Sequence, residues 1–258
     1  MGGDARRLEP WLVVLGSTSL IAWSVLAFYG SDITLPAVCS AGALWSAPLS
    51  VSFDLALVVN SPAKLASGWA LMVAAMMAPA VVAPLRHVHN RSFAARRARA
   101  MLLFLAAYMA VWMTVGAGLL TMALAARWAV PSPLVCLGLA TAAAMLWQIS
   151  PAKQWCLNRC HRRPQLAAFG DAADRDAFVF GLTNGASCAG ACWALMLLML
   201  LAGFGNLVGM IAVTLFVCAE RLESPAPLAW RWRGFGKALR IAAAQARLRL
   251  LQRQWVGA

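Results

Sequence analysis

Cys156 and Cys160 stand four residues apart, and so do Cys188 and Cys192. Four residues is the spacing of one helical face, so each pair on a helix presents two sulfurs on one side. Such a pair suits a soft cation or a thiol couple, and His161, next to Cys160, offers a third ligand to the first pair. Methionine adds a second cluster in the run Trp69-Ala-Leu-Met72-Val-Ala-Ala-Met76-Met77-Ala-Pro79. Met72 and Met76 share a face, and thioethers and thiolates together are the ligands that favour Cu(I). The competing explanation is packing, because Cys and Met are also ordinary filler in apolar helices.

The residues around these sulfurs bear on the choice. Pro79 removes a backbone donor and kinks its helix, which leaves a carbonyl without its usual partner. The run from Phe180 to Trp193 is crowded with small side chains. Gly181 and Gly185 have the spacing that lets two membrane helices approach closely, either seating the helix on the second or fourth span or receiving a partner protein, and Asn184 is placed to hydrogen-bond across the contact. Intramembrane carboxylates are nearly absent, which argues against a proton-coupled transporter. Glu220, beside Arg221 at the end of the last apolar run, reads as an interfacial anchor within reach of a site at the membrane mouth. His87 and His89 fall in an Arg-rich loop and read as solvated.

These residues must be carried by membrane helices. The 258-residue chain is 62% hydrophobic and 12% charged, with a mean hydropathy of +0.72. A soluble domain is roughly half apolar and a quarter charged. Six apolar stretches predict an all-α polytopic bundle: Trp11 to Gly30, Leu65 to Leu85, Met101 to Ala126, Leu134 to Ile149, Ala177 to Gly203 and Asn206 to Ala219. The last two are joined by a tight turn at Phe204 and Gly205. An even number of spans puts both termini on one side, and the positive-inside bias makes that side the cytoplasm. Of 22 Lys and Arg residues only Lys64 and Arg127 then lie outside. The net charge of +13 is thus explained by orientation, and nucleic acid is not needed as a partner. Arg6 and Arg7 precede a first span longer than a signal h-region, which predicts a retained anchor. The organisation expected is a cytoplasmic N-terminus over 1–10, a six-span domain over 11–220 and a basic tail over 221–258. From Trp230 to Trp255 that tail has the pattern of an amphipathic helix on anionic lipid. Cys39 and Asp54 lie in an outer loop with no role assigned.

Three ordered blocks carry a family resemblance: Trp69 to Pro79 with Ala75-Met76-Met77; Trp147-Gln148-Ile149-Ser150-Pro151-Ala152-Lys153 leading to Cys156-Leu157 and Cys160; and Cys188-Ala-Gly190-Ala-Cys192-Trp193. From about Trp69 to Glu220 the chain resembles a bacterial family of predicted metal-binding integral membrane proteins, a domain of unknown function. The resemblance implies a metal site drawn from Met72, Met76, Met77, Cys156, Cys160, Cys188 and Cys192, with Gln148, Lys153, Asn206 and Glu220 as matching polar positions. Two positions depart from the family pattern, Ala191 where a Cys is usual and Trp147 where a Tyr is usual. The loss of a thiol at position 191 turns the expectation from an all-thiolate site to a Cys and Met site.

Sulfur clustering and the resemblance together predict a bacterial inner-membrane protein that binds a soft metal, Cu(I) foremost, for metal handling or cofactor assembly; catalysis is not indicated. Its partners are the bilayer and, through the Gly181/Gly185 face, a membrane protein. The alternative is a helical scaffold or accessory subunit whose sulfurs only fill space. A thiol redox relay ranks third, because the four-residue spacing lacks the two-residue gap of thioredoxin-like motifs.

Overall fold

The structure, a computed structural model, describes residues 9–29, 62–130, 132–202, 207–232, 235–241, 243–245 and 247. Arg6, Arg7, Cys39, Asp54, the Phe204–Gly205 turn, Asn206 and the tail from 248 onward lie outside the described residues. Among the described residues the principal α-helices are α1 (Pro10–Tyr29), α2 (Pro62–Arg91), α3 (Arg97–Ala129), α4 (Pro133–Ile149), α5 (Pro151–Cys160), α6 (Gly170–Ala202) and α7 (Leu207–Leu222). A 3-10 turn over Ala94–Arg96 joins α2 to α3. No strand occurs among the described residues. Four helices open on proline (Pro10, Pro62, Pro133 and Pro151), where the missing N–H would have no intrahelical acceptor in any case.

Among the described residues α1, α2, α3 and α6 are long and apolar enough to cross a membrane, and α4 with α5, bent by 60°, makes a fifth crossing if the pair is one broken span. The sixth expected segment is helical, but α7 has 16 residues, about 24 Å at 1.5 Å per residue. That is short of roughly 30 Å of hydrocarbon. The membrane character expected of the chain is therefore present in at least four helices.

The most extensive interface is between α3 and α6; α4 and α5 pack on α6, while α2 packs on α3 and carries α1. Arg96 and Arg99 bridge to Asp174 at 2.9 and 2.7 Å, so α3 and α6 begin side by side and run parallel. A Cβ on Gly181 would collide with the Phe104 carbonyl oxygen, and one on Gly185 would lie 3.2 Å from Val111 Cβ and 3.3 Å from the Tyr108 carbonyl. The Gly181/Gly185 face is thus occupied by α3, the third expected span, where the sequence pointed to the second, the fourth or a partner protein. Close backbone approach is how membrane helices gain packing when lipid is as apolar as the side chains.

Both internal prolines of α2 are answered by side chains from other helices. Pro79 cannot donate to the Ala75 carbonyl, and Ser19 of α1 donates to it at 3.1 Å. Pro84 cannot donate to the Ala80 carbonyl, and Arg221 of α7 does so at 3.3 Å. A freed carbonyl in an apolar medium is costly, which makes these two contacts specific docking points.

The second sequence block folds as a helix with two working faces. Ser150 caps α5 by accepting from the Lys153 N–H at 3.1 Å. On the inner face Lys153, 1% exposed, pairs with Glu220 of α7 at 2.5 Å, which replaces the interfacial anchor expected of Glu220 with a buried ion pair. On the outer face Gln154 and Asn158 hold the chain after α7: Gln154 bonds Ala229 through both its amide groups, and Asn158 does the same with Ala226. Beyond that strap residues 236–241 are helical, with the Lys237 N–H donating to Glu223 at 2.6 Å.

Candidate metal centre

Cys188 lies near the middle of α6 and is fully buried. Its sulfur is 3.9 Å from Met77 Sδ and shares a 3.0 Å hydrogen bond with the Tyr108 hydroxyl. The Trp112 indole lies beside both. One turn further along α6 the Cys192 thiol donates to the Cys188 carbonyl at 3.2 Å. From the cationic end of the bundle Arg221 reaches in, with Nη2 3.6 Å from Cys160 Sγ and its charge within electrostatic reach of Cys188, Cys192 and Tyr108.

Of the seven sulfurs expected at a site, Met77 and Cys188 are in direct contact and Cys192 adjoins them. Met76 is buried in the same core but is not the methionine facing Cys188, and Met72 is partly buried on its edge. Cys160 approaches through Arg221. Cys156 turns to another neighbour, Gly190, where a Cβ would stand 2.6 Å from its Sγ and one of the two would have to shift. The Cys156–Cys160–His161 set does not assemble, because both ring nitrogens of His161 face carbonyls, those of Leu157 at 2.9 Å and Arg221 at 3.0 Å. Trp147, at the position where a Tyr is usual in the resembled family, donates to the Gly190 carbonyl at 3.1 Å and stacks edge-on with Trp193. Gln148 is buried, with its side-chain oxygen unbonded.

Among the described residues no three of His, Cys, Asp and Glu converge as metal ligands. That excludes a preformed zinc-type cage of charged ligands within them and leaves a site of two or three soft atoms. A metal–sulfur bond of roughly 2.3 Å puts two sulfurs sharing an ion at most roughly 4.6 Å apart. The 3.9 Å between Cys188 and Met77 falls inside that limit. One thiolate and one thioether fit a soft monovalent cation, since thioethers are poor ligands for hard ions.

Residues 66–244 match the family model described as PpoB2, copper chaperone. The chain belongs to this family. The match spans most of the chain, including all three sequence blocks, and it bears out the metal-related part of the resemblance. No curated protein and no solved structure matches the chain. Membership of a copper chaperone family and several membrane-length helices join copper handling to a membrane setting.

Three residues at this centre were not singled out from sequence. Tyr108 is one of two tyrosines in the chain and sits inside an apolar run. Arg221 stands in sequence at the start of the basic tail. A lone hydroxyl or cation at the edge of hydrocarbon is expensive unless it has a partner, and that rarity was the available signal. Trp112 carried no signal among 12 tryptophans.

Proposed function

We propose that the protein is an inner-membrane copper chaperone, six-span with both termini cytoplasmic, that takes Cu(I) as cargo between Cys188 Sγ and Met77 Sδ. The observation that carries this reading is the 3.9 Å approach of these two sulfurs in a fully buried position. A Cys188 thiolate and Cu(I) sum to zero charge, which lowers the cost of burial. Without cargo, Arg221 supplies the positive charge that would otherwise be missing beside a thiolate, and the Tyr108 hydroxyl donates to the same sulfur. In this reading Cys192, whose thiol donates to the Cys188 carbonyl, serves as a further ligand, and Cys160 as the next sulfur toward the cationic end. The cations gathered where α2 ends and α3 and α6 begin support a cytoplasmic placement of that end.

The test is competition for Cu(I) between the reduced, purified protein and a chromogenic chelator. One tight Cu(I) per chain is expected. Cys188→Ser is expected to weaken it at least about tenfold, or 1.4 kcal/mol, and Met77→Leu to weaken it less. Cys136→Ala and Cys218→Ala are expected to bind as the parent does. Unchanged affinity in Cys188→Ser would sink the assignment.

A further inference from the structure

A cavity of about 270 Å³ opens at the cationic end of the bundle, between the end of α5 and the first half of α6. Among its lining residues are Arg159, Arg162, Asp176, Asn184 and Ser187. Asn184 is 3% exposed, and neither its Nδ2 nor its Oδ1 has a hydrogen-bond partner. Its polar neighbours on α6 do not relieve it, because the Thr183 and Ser187 hydroxyls donate to carbonyls of their own helix. A buried amide with both functions unmet is complementary to a group that donates and accepts side by side. A peptide unit is such a group.

The charges around the cavity narrow the ligand further. Arg159 lies over the Trp155 ring at 4.5 Å, and Arg162 is exposed. Among the described residues no carboxylate forms a salt bridge with either. Asp176 uses one oxygen to accept the Ala167 N–H at 2.9 Å. Two guanidinium groups, one carboxylate and an unsatisfied amide thus share a space just below the usual range for small-molecule sites. We propose that this cavity binds a free, short acidic peptide. Its carboxylates meet Arg159 and Arg162, its ammonium meets Asp176 and its backbone amide meets Asn184.

The position of the cavity gives that ligand a use, which rests on the Cu(I) reading above. Asn184 is one helical turn from Cys188 on the same face of α6, and Arg159 immediately precedes Cys160. A thiol peptide seated here holds its Cu(I) next to the sulfur centre. Cu(I) then passes from the peptide thiolate to the Cys188 thiolate: the Cu–S bond to Cys188 forms as the one to the peptide breaks, the peptide leaves as its thiolate, and no oxidation state changes.

The experiment uses the full chain in detergent micelles and two probes. S-methylglutathione, an acidic tripeptide with a blocked thiol, is measured by equilibrium dialysis. The parent is expected to bind it, and the Arg159→Gln/Arg162→Gln double variant and Asn184→Leu each to lose at least about tenfold in affinity. The arginine variant changes groups outside the packed core, so it reads the site even if Asn184→Leu does not fold. The second probe is the rate of Cu(I) uptake from its glutathione complex against its acetonitrile complex. Both variants are expected to slow only the former, and Cys188→Ser to lose both. Absence of S-methylglutathione binding to the parent, or equal binding in all variants, overturns the peptide site even if Cu(I) binds. Failure of the parent to hold Cu(I) from either complex overturns the copper reading, while the dialysis still decides the cavity.

Discussion

Replacing Glu220 with Gln removes one half of a buried ion pair and leaves Lys153 charged in a space where its side chain is 1% exposed. At 2.5 Å and an effective dielectric of about 20, the lost attraction is about 7 kcal/mol. Relaxation and the regained solvation of the removed carboxylate bring the net cost of breaking such a pair to about 3–5 kcal/mol. The Lys153 ammonium also lies 5.3 Å from the Phe216 ring centre, a contact too weak to replace a carboxylate. Lys153→Met is expected to cost a similar amount by removing the cation that faces Glu220. The double variant Lys153→Met/Glu220→Gln is expected to recover most of the loss, because no uncompensated charge remains. Equilibrium unfolding in mixed micelles measures all four corners of the cycle. Because this pair ties α5 to α7, each single variant is also expected to raise the rate at which Cys160 reacts with a thiol reagent. Single costs below about 1 kcal/mol, the range of an exposed pair, or additive costs in the double variant, would refute the claim that the pair is buried and joins the two helices.

Three further outcomes follow from close contacts. Ser19→Ala is expected to cost about 0.5–1 kcal/mol in the parent and close to nothing in Pro79→Ala, where residue 79 again supplies an N–H to the Ala75 carbonyl; the unfolding cycle of the two changes reads this. Gly190→Ala is expected to lower the melting temperature, because the new Cβ meets Cys156 Sγ at 2.6 Å, and adding Cys156→Ala is expected to restore it. A full restoration failure would mean that another neighbour sets the glycine requirement. Gly181→Leu is expected to separate α3 from α6 and to weaken Cu(I) binding in the chelator competition, since Tyr108 and Cys188 face each other across that interface.

The sequence by itself determined the medium, the helical class and the sulfur inventory. Apolar runs of about 20 residues admit few structures in hydrocarbon, so the helical class was legible without any partner helix in view. The proline effect was legible too, because a missing N–H is a local fact. Which sulfurs meet was decided only by tertiary structure. Helical spacing groups Cys188 with Cys192 and Cys156 with Cys160, yet it cannot say that Met77 rather than Met76 faces Cys188, since that depends on the rotation of α2 against α6. It cannot say that Cys156 spends its sulfur on Gly190, or that Glu220 finds Lys153, 67 residues away in sequence. Arg221 shows the limit most directly. Its charge places it with the tail cations, while the Ala80 carbonyl left free by Pro84, the Cys160 thiol and the packing of α7 draw it inward toward the buried sulfurs.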